Sequence, residues 1–232
     1  MAEKPIWAKK GVSFPASCFS DSVQDCPLLR IPSPDRHSLI EVRYRKLTLD
    51  NGDWLLTVHL QVIRGDGQRS EIEPPGDVDD ELLWSPDSKS FLINGSGGGE
   101  GPDSVAVYRL SDPNLRPIVV TAAAQRDMLR SFPPCKAKGA DPQECGSMAS
   151  DLETVNVSAV DWTRRSSAVV VMAEMPCSSS VGGIMCQVLG YELEVPSGKI
   201  VRRMEAKEFA KLWQHSMAWK FHIPGPPEYK NK

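Results

Sequence analysis

The residues of this chain that could do chemistry are its six cysteines, its four histidines and one glycine-rich loop. The cysteines fall in three local pairs, Cys18 with Cys26, Cys135 with Cys145 and Cys177 with Cys186, each in a segment rich in Pro, Gly, Ser or Asp. An even count of closely spaced cysteines in turn-rich segments is the pattern of an oxidising compartment. None has the C-x2-C spacing of a zinc site and the histidines lie far off in sequence, so no metal is expected. Three local disulfides are favoured over reduced buried thiols. In the chain-entropy description each would contribute roughly 2.5 to 3 kcal/mol by restricting the unfolded chain.

His37, His59, His215 and His222 show no H-E-x-x-H or other close ligand spacing. A hydrolytic triad would need a geometry that spacing alone does not supply, and paired cysteines leave no thiolate nucleophile. The loop Asn94-Gly95-Ser96-Gly97-Gly98-Gly99-Glu100-Gly101-Pro102 lacks the Gly-Lys-Ser/Thr ending of a phosphate loop. It also joins strand to strand, so no helix N-terminus awaits an anion. It reads as a flexible hairpin tip, with Gly97, Gly98, Gly99 and Glu100 as candidate partner-binding residues. No cofactor is implied.

Other motifs have a plainer reading. Arg64-Gly65-Asp66 contains an adhesive tripeptide, but Gly-Asp-Gly between two alternating segments is above all a turn signal. The acidic run Glu73 to Glu81 lacks the ligand positions of an EF-hand and reads as a solvated connector. Pro226-Pro227-Glu228-Tyr229 fits a WW-domain ligand pattern, which matters only in a cytosol that the cysteines argue against. Asn94-Gly95-Ser96 and Asn156-Val157-Ser158 are glycosylation sequons where the source has that machinery.

The elements that must position these residues are mostly strands. A chain of 232 residues with 41% hydrophobic and 25% charged residues can bury a sizeable core and is not disordered. A net charge of -3 excludes the basic footprint of a nucleic-acid binder, and no apolar run reaches the ~18 residues of a membrane span. No charged-then-apolar leader stands at Met1, so the compartment is read from the cysteines alone. Residues 1–36 carry five prolines without periodicity and are expected to form an irregular arm. From Leu39 the pattern alternates, with a one-residue slip after Tyr44 that suggests a bulge. The turn Asp50-Asn51-Gly52-Asp53 then leads into a strand with Trp54, Leu56, Val58, Leu60 and Val62 on one side. Helices are expected from Ala122 to Arg130 and from Glu205 to Trp219.

Self-similarity links these elements. Trp84-Ser85-Pro86-Asp87-Ser88-Lys89 and the strand after it align with Trp162-Thr163-Arg164-Arg165-Ser166-Ser167 and its strand, while Ala106 to Leu110 align with Leu189 to Leu193. Ser33-Pro34-Asp35-Arg36-His37-Ser38 is a fainter third echo without the tryptophan. The string from Trp84 to Lys89 resembles the W-S-P-D-G-x repeat of TolB-like (PD40) β-propellers, in which the Pro-Asp turn joins the first two strands of a blade. That resemblance implies antiparallel blades. Here Ser88 replaces the usual glycine, helices interrupt the meander, and three blades are fewer than the four a closed propeller needs.

The expected fold is therefore mainly β: antiparallel blade-like repeated sheets, an incomplete propeller or a sandwich, with two short helices, one after each repeat. Residues 37–232 are expected to form a single β-rich domain with repeats at 82–132 and 160–219. The expected function is a non-enzymatic, periplasmic or secreted protein-binding module of inhibitor, immunity or envelope-scaffold type, presenting disulfide-pinned loops to another protein. Two alternatives stand beside it. One is a hydrolase assembled from separated loops; the other is a propeller subunit completed as a homodimer.

Overall fold

The computed structural model describes residues 29–48, 54–72, 80–96, 103–136, 138–139, 145–176, 179–213 and 221–223. They form three antiparallel sheets stacked face to face as successive blades. The first blade is β1 (Leu29–Pro32), β2 (Leu39–Thr48), β3 (Trp54–Ile63) and β4 (Arg69–Ile72), in that spatial order. Its first strand lies inside the arm that was expected to be irregular. Leu29 and Ile31 are buried while Arg30 and Pro32 are exposed, an alternation too short to stand out among prolines. Pro32 is tolerated because it ends an edge strand. The β2–β3 ladder runs from Leu39↔Ile63 to Thr48↔Trp54 without a register shift, so the bulge expected after Tyr44 is not there.

The second blade is β5 (Asp80–Trp84), β6 (Ser90–Ser96), β7 (Asp103–Arg109) and the two-residue β8 (Ile118–Val119), followed by helix α1 (Ala122–Ser131). A short helix, α2 (Cys145–Ser150), lies in the connection expected to be loop throughout. The third blade is β9 (Asn156–Trp162), β10 (Ala168–Glu174), β11 (Val188–Glu194) and β12 (Ile200–Glu205), and it ends in α3 (Ala206–Trp213). The chain then returns to the middle blade, where β13 (Phe221–Ile223) pairs antiparallel with the free edge of β5. Helices α1 and α3 follow the two repeats as expected, although α3 is described only to Trp213.

The middle blade carries apolar residues on both of its faces because both are covered. Leu82, Trp84, Phe91, Ile93, Ala106 and Tyr108 face back onto Ile31, Ile40, Val42, Leu60 and Val62 of the first blade. Leu83, Leu92, Val105 and Val107 face forward onto Val157, Ala159, Trp162, Val169, Val171 and Tyr191 of the third. Ala124, Met128 and Leu129 of α1 close that second core. The far side of the third blade, with Val160, Val170 and Met204, is covered by Phe209 of α3.

The blades are joined by contacts that repeat. The Trp84 indole N–H donates to the Ile31 carbonyl at 3.3 Å, and the Trp162 indole N–H donates to the Leu83 carbonyl at 3.3 Å. The Asp35 amide donates to Ser88 Oγ at 3.0 Å, and the Asp87 amide donates to Ser166 Oγ at 3.2 Å. Arg36, Ser88 and Ser166 hold φ of 63°, 62° and 54°, each at the position that a glycine occupies in the W-S-P-D-G repeat. The faint echo at Ser33 is thus the turn of a full first blade. One alignment is corrected: Phe91 pairs with Tyr108 and Val169 with Leu193, so Tyr108 corresponds to Leu193 and Tyr191 to Ala106.

The repetition is broken at both ends of the stack. Arg64 and Arg109 occupy one repeat position and staple each blade to the next. Arg64 donates to the carbonyls of Leu110 at 3.1 Å and Asp112 at 2.9 Å, and Arg109 donates to the Val195 carbonyl at 3.1 Å. In the last blade the same ladder position is the exposed Glu194. At the other end the ladder positions of Leu82, Trp84, Ile93 and Ala106 are filled by Arg30, Pro32, Glu41 and Gln61. The first blade thus has a polar row on its outer face where the second has an apolar one, while Pro32, Leu39 and Ile63 keep the adjacent row apolar. The fold is therefore an open, propeller-like stack.

Candidate functional site

Because the blades run in parallel, the two ends of the stack differ. Among the described residues one end holds the shorter connections, 33–38, 64–68, 85–89, 110–117, 163–167 and 195–199. Ser33 and Ser85 lock theirs by donating Oγ–H to the Asp35 and Asp87 carboxylates at 2.6 and 2.7 Å. The described strands place the connections between β6 and β7, between α1 and β9, and between β10 and β11 at the opposite end. Variation in such loops on a rigid scaffold is the usual seat of binding.

At this loop end Cys135 and Cys145 form a disulfide with Cα atoms 4.9 Å apart, as expected from their spacing. Cys186 is also disulfide-bonded. Cys18, Cys26 and Cys177 lie outside the described residues. The two loops are joined to each other: the Gly183 amide donates to the Lys138 carbonyl at 2.9 Å, tying the Cys135–Cys145 segment to the turn at Ser179–Ile184. Ile184 and Met148 seat this pair on the core between the second and third blades. Met185 is 44% exposed, and Lys136, Lys138 and Cys186 are exposed around it. The result is a pinned surface with an apolar knob and two cations. The candidates Gly97, Gly98, Gly99 and Glu100 lie outside the described residues; the strands flanking them, ending at Ser96 and beginning at Asp103, open toward this same end.

Asn94 and Arg64, which the sequence pattern leaves to a loop and a turn, prove to be struts, and Tyr191 of β11 is a third. Asn94, 5% exposed, is bonded on both sides of its amide to the third blade. Its Nδ2 donates to the Ala159 carbonyl at 2.9 Å, and its Oδ1 accepts from the Ala159 amide at 2.8 Å. A bulge in β9 opposite Val170 and Val171 frees those two backbone groups. Nδ2 also donates to Glu81 at 2.8 Å. With its amide nitrogen so engaged, Asn94 is not available for glycosylation. Arg64 is likewise buried, so Arg64-Gly65-Asp66 presents no adhesive arginine. Tyr191 donates its hydroxyl to Asp127 of α1 at 3.0 Å, and Arg203 donates to the same carboxylate oxygen at 3.0 Å. Burial, reinforced by the Asp127 charge, pushes the Tyr191 hydroxyl far above the ordinary tyrosine range.

An open cleft of about 670 Å³ lies at the turn end, lined by Arg109, Asp112, Pro113, Arg116, Ile118 and Pro196. Its arginines are engaged, Arg109 with the Val195 carbonyl and Arg116 with Asp112 at 3.3 Å. The Asn114 amide leads the contacts that hold the Asp112 carboxyl below its usual range. His37 is exposed in the first turn, 3.5 Å from Asp35; His59 pairs across the ladder from Arg43; His215 lies outside the described residues. Among the described residues no three of His, Cys, Asp or Glu come together as a metal site, and no helix is long and apolar enough to cross a membrane.

No known family model matches the sequence, and no curated protein matches it. Among solved structures, the β-propeller domain of the Trilobed protease from Pyrococcus furiosus, described as having an open velcro topology, is similar at 12% identity with a TM-score of 0.39. The match covers 76% of this chain and 41% of the other. The propeller-like description of the fold rests on the ladders and the repeated contacts between blades.

Proposed function

We propose that this chain is a non-enzymatic protein-binding module of the periplasm or another extracytoplasmic space, of inhibitor, immunity or envelope-scaffold type. The observation that carries the reading is the docking of two disulfide-bonded loops through Gly183 and Lys138 at the end of the stack where the long connections gather. A rigid stack with pre-ordered loops loses little conformational entropy on meeting a partner, which favours recognition. Oxidised Cys135, Cys145 and Cys186 support an oxidising compartment.

The test is partner capture from an envelope extract followed by binding measurements with surface variants. Lys138→Glu combined with Met185→Glu, and separately replacement of Gly97 to Glu100, are expected to weaken the captured complex at least about tenfold. Arg116→Glu at the turn end is expected to leave it unchanged. The opposite pattern, loss at Arg116 with full binding by the loop variants, overturns the assignment.

A further inference from the structure

We propose that the outer face of the first blade is a second docking surface, which takes an acidic segment of a partner protein. At the ladder positions where the second and third blades carry apolar contacts, this face carries Arg30, Glu41 and Gln61 in one row across β1, β2 and β3. The Glu41 side chain is 3% exposed, yet it is ionised and sits among three guanidinium groups. Arg30 Nε donates to Oε1 at 3.0 Å, Arg43 Nη2 donates to Oε2 at 2.8 Å, and Arg69 Nη1 lies 3.8 Å from Oε2 while donating to Gln61 Oε1 at 2.9 Å. The Arg43 bond comes first among the contacts that hold the Glu41 carboxyl below its usual range.

One carboxylate against three arginines leaves the cluster positive, and Glu71, at the far end of the row, offsets only part of the excess. The arginine side chains remain 66%, 46% and 55% exposed, and each keeps N–H groups that no described residue accepts. Glu41 therefore acts as a buried anchor that holds three guanidinium forks on a flat sheet with their spare donors outward. Such forks match carboxylates in geometry as well as charge. A face meant only to end the stack needs polarity, which neutral or balanced side chains supply; a fixed positive excess adds complementarity to an acidic chain.

The probe is a fluorescent hexaglutamate peptide, read by anisotropy at low ionic strength, with hexaglutamine as the neutral control. Binding to wild type is expected, with loss of at least about tenfold for Arg30→Gln combined with Arg69→Gln. Arg116→Gln combined with Arg165→Gln removes the same charge elsewhere and is expected to change nothing. Glu41→Gln is the discriminating variant. It adds net positive charge but releases the arginines, so binding weakens several-fold if the anchor matters. Tighter or equal binding by a folded Glu41→Gln protein, or equal loss in the Arg116/Arg165 control, overturns the proposal in favour of diffuse charge. Should Glu41→Gln unfold, the two arginine pairs alone decide. Self-association at low salt that depends on Arg30 and Arg69 also overturns it, by making a second copy the occupant. None of these outcomes depends on the loop end.

Discussion

Gly190 of β11 is where one added methyl group should do the most damage. A Cβ built there would lie 2.1 Å from Phe209 Cδ2, 2.6 Å from Cγ and 2.9 Å from Cβ. Because the root of the Phe209 side chain is struck along with the ring, rotation about its side-chain bonds cannot relieve the clash. Either Phe209 leaves its place on the third blade or α3 lifts. Phe209 is 4% exposed and is the main cover of Val160, Val170 and Met204. Removing a buried Phe side chain costs about 3–5 kcal/mol, and replacing Gly by Ala in a strand returns roughly 0.5–1 kcal/mol through the unfolded chain. Gly190→Ala is thus expected to destabilise by about 2–4 kcal/mol, a large share of the 5–15 kcal/mol typical of a domain. The assay is urea unfolding of wild type, Gly190→Ala, Phe209→Ala and the double variant. With Phe209 truncated, the added methyl has nothing to strike, so Gly190→Ala in that background should cost nothing or stabilise slightly. The expected coupling therefore equals that cost, about 2–4 kcal/mol. If the two changes add to within about 0.5 kcal/mol, the close approach of α3 to β11 is refuted.

Two further outcomes follow from other parts of the stack. Since the folded-state pKa of Tyr191 is raised above its unfolded value near 10, the neutral hydroxyl's contribution to stability is fully present below about pH 10 and is lost as pH climbs toward the folded value. The urea midpoint of wild type should therefore fall more steeply above pH ~10 than that of Tyr191→Phe, the difference cancelling lysine titration; parallel curves would remove the Tyr191–Asp127 contact as the cause. Sedimentation should find a monomer of 25.6 kDa at all accessible concentrations, because the like-charged Arg30, Arg43 and Arg69 stand on the first blade's outer face and Phe209 covers the last blade's. A dimer that dissociates on Arg30→Gln or Phe209→Ala would restore the alternative of a propeller closed by two chains.

What could be read from the sequence depended on how many faces a blade buries. The middle blade was legible at once: Leu82-Leu83-Trp84 and Phe91-Leu92-Ile93 are covered on both sides, and Trp84 marks the turn. The first blade was nearly invisible for the same physical reason. Among the described residues no strand lies on its outer side to receive a tryptophan N–H, the position of Trp84 is held by Pro32, and one outer row is Arg30, Glu41 and Gln61. Bulges also misled the repeat alignment: with Val160 slipped out of the β9 ladder, Ala159 and Trp162 share a face despite their odd spacing, and matching tyrosines drew Tyr191 toward Tyr108 although the ladder places it with Ala106. At the loop end, the Cys135–Cys145 bond was legible from spacing because both partners are side chains of one kind. The docking of Gly183 on Lys138 was not, since it joins two backbone groups and leaves no residue-type signal. Asn94 and Arg64 were obscured in the same way: each spends its polar atoms largely on another blade's carbonyls and amides, so its role depends on stacking geometry. Two of the polar residues that tie blade to blade, Asn94 and Arg64, are therefore ones that local pattern assigns to a loop and a turn, and the loop end is joined in part by a backbone bond that side-chain substitution at Lys138 would leave in place.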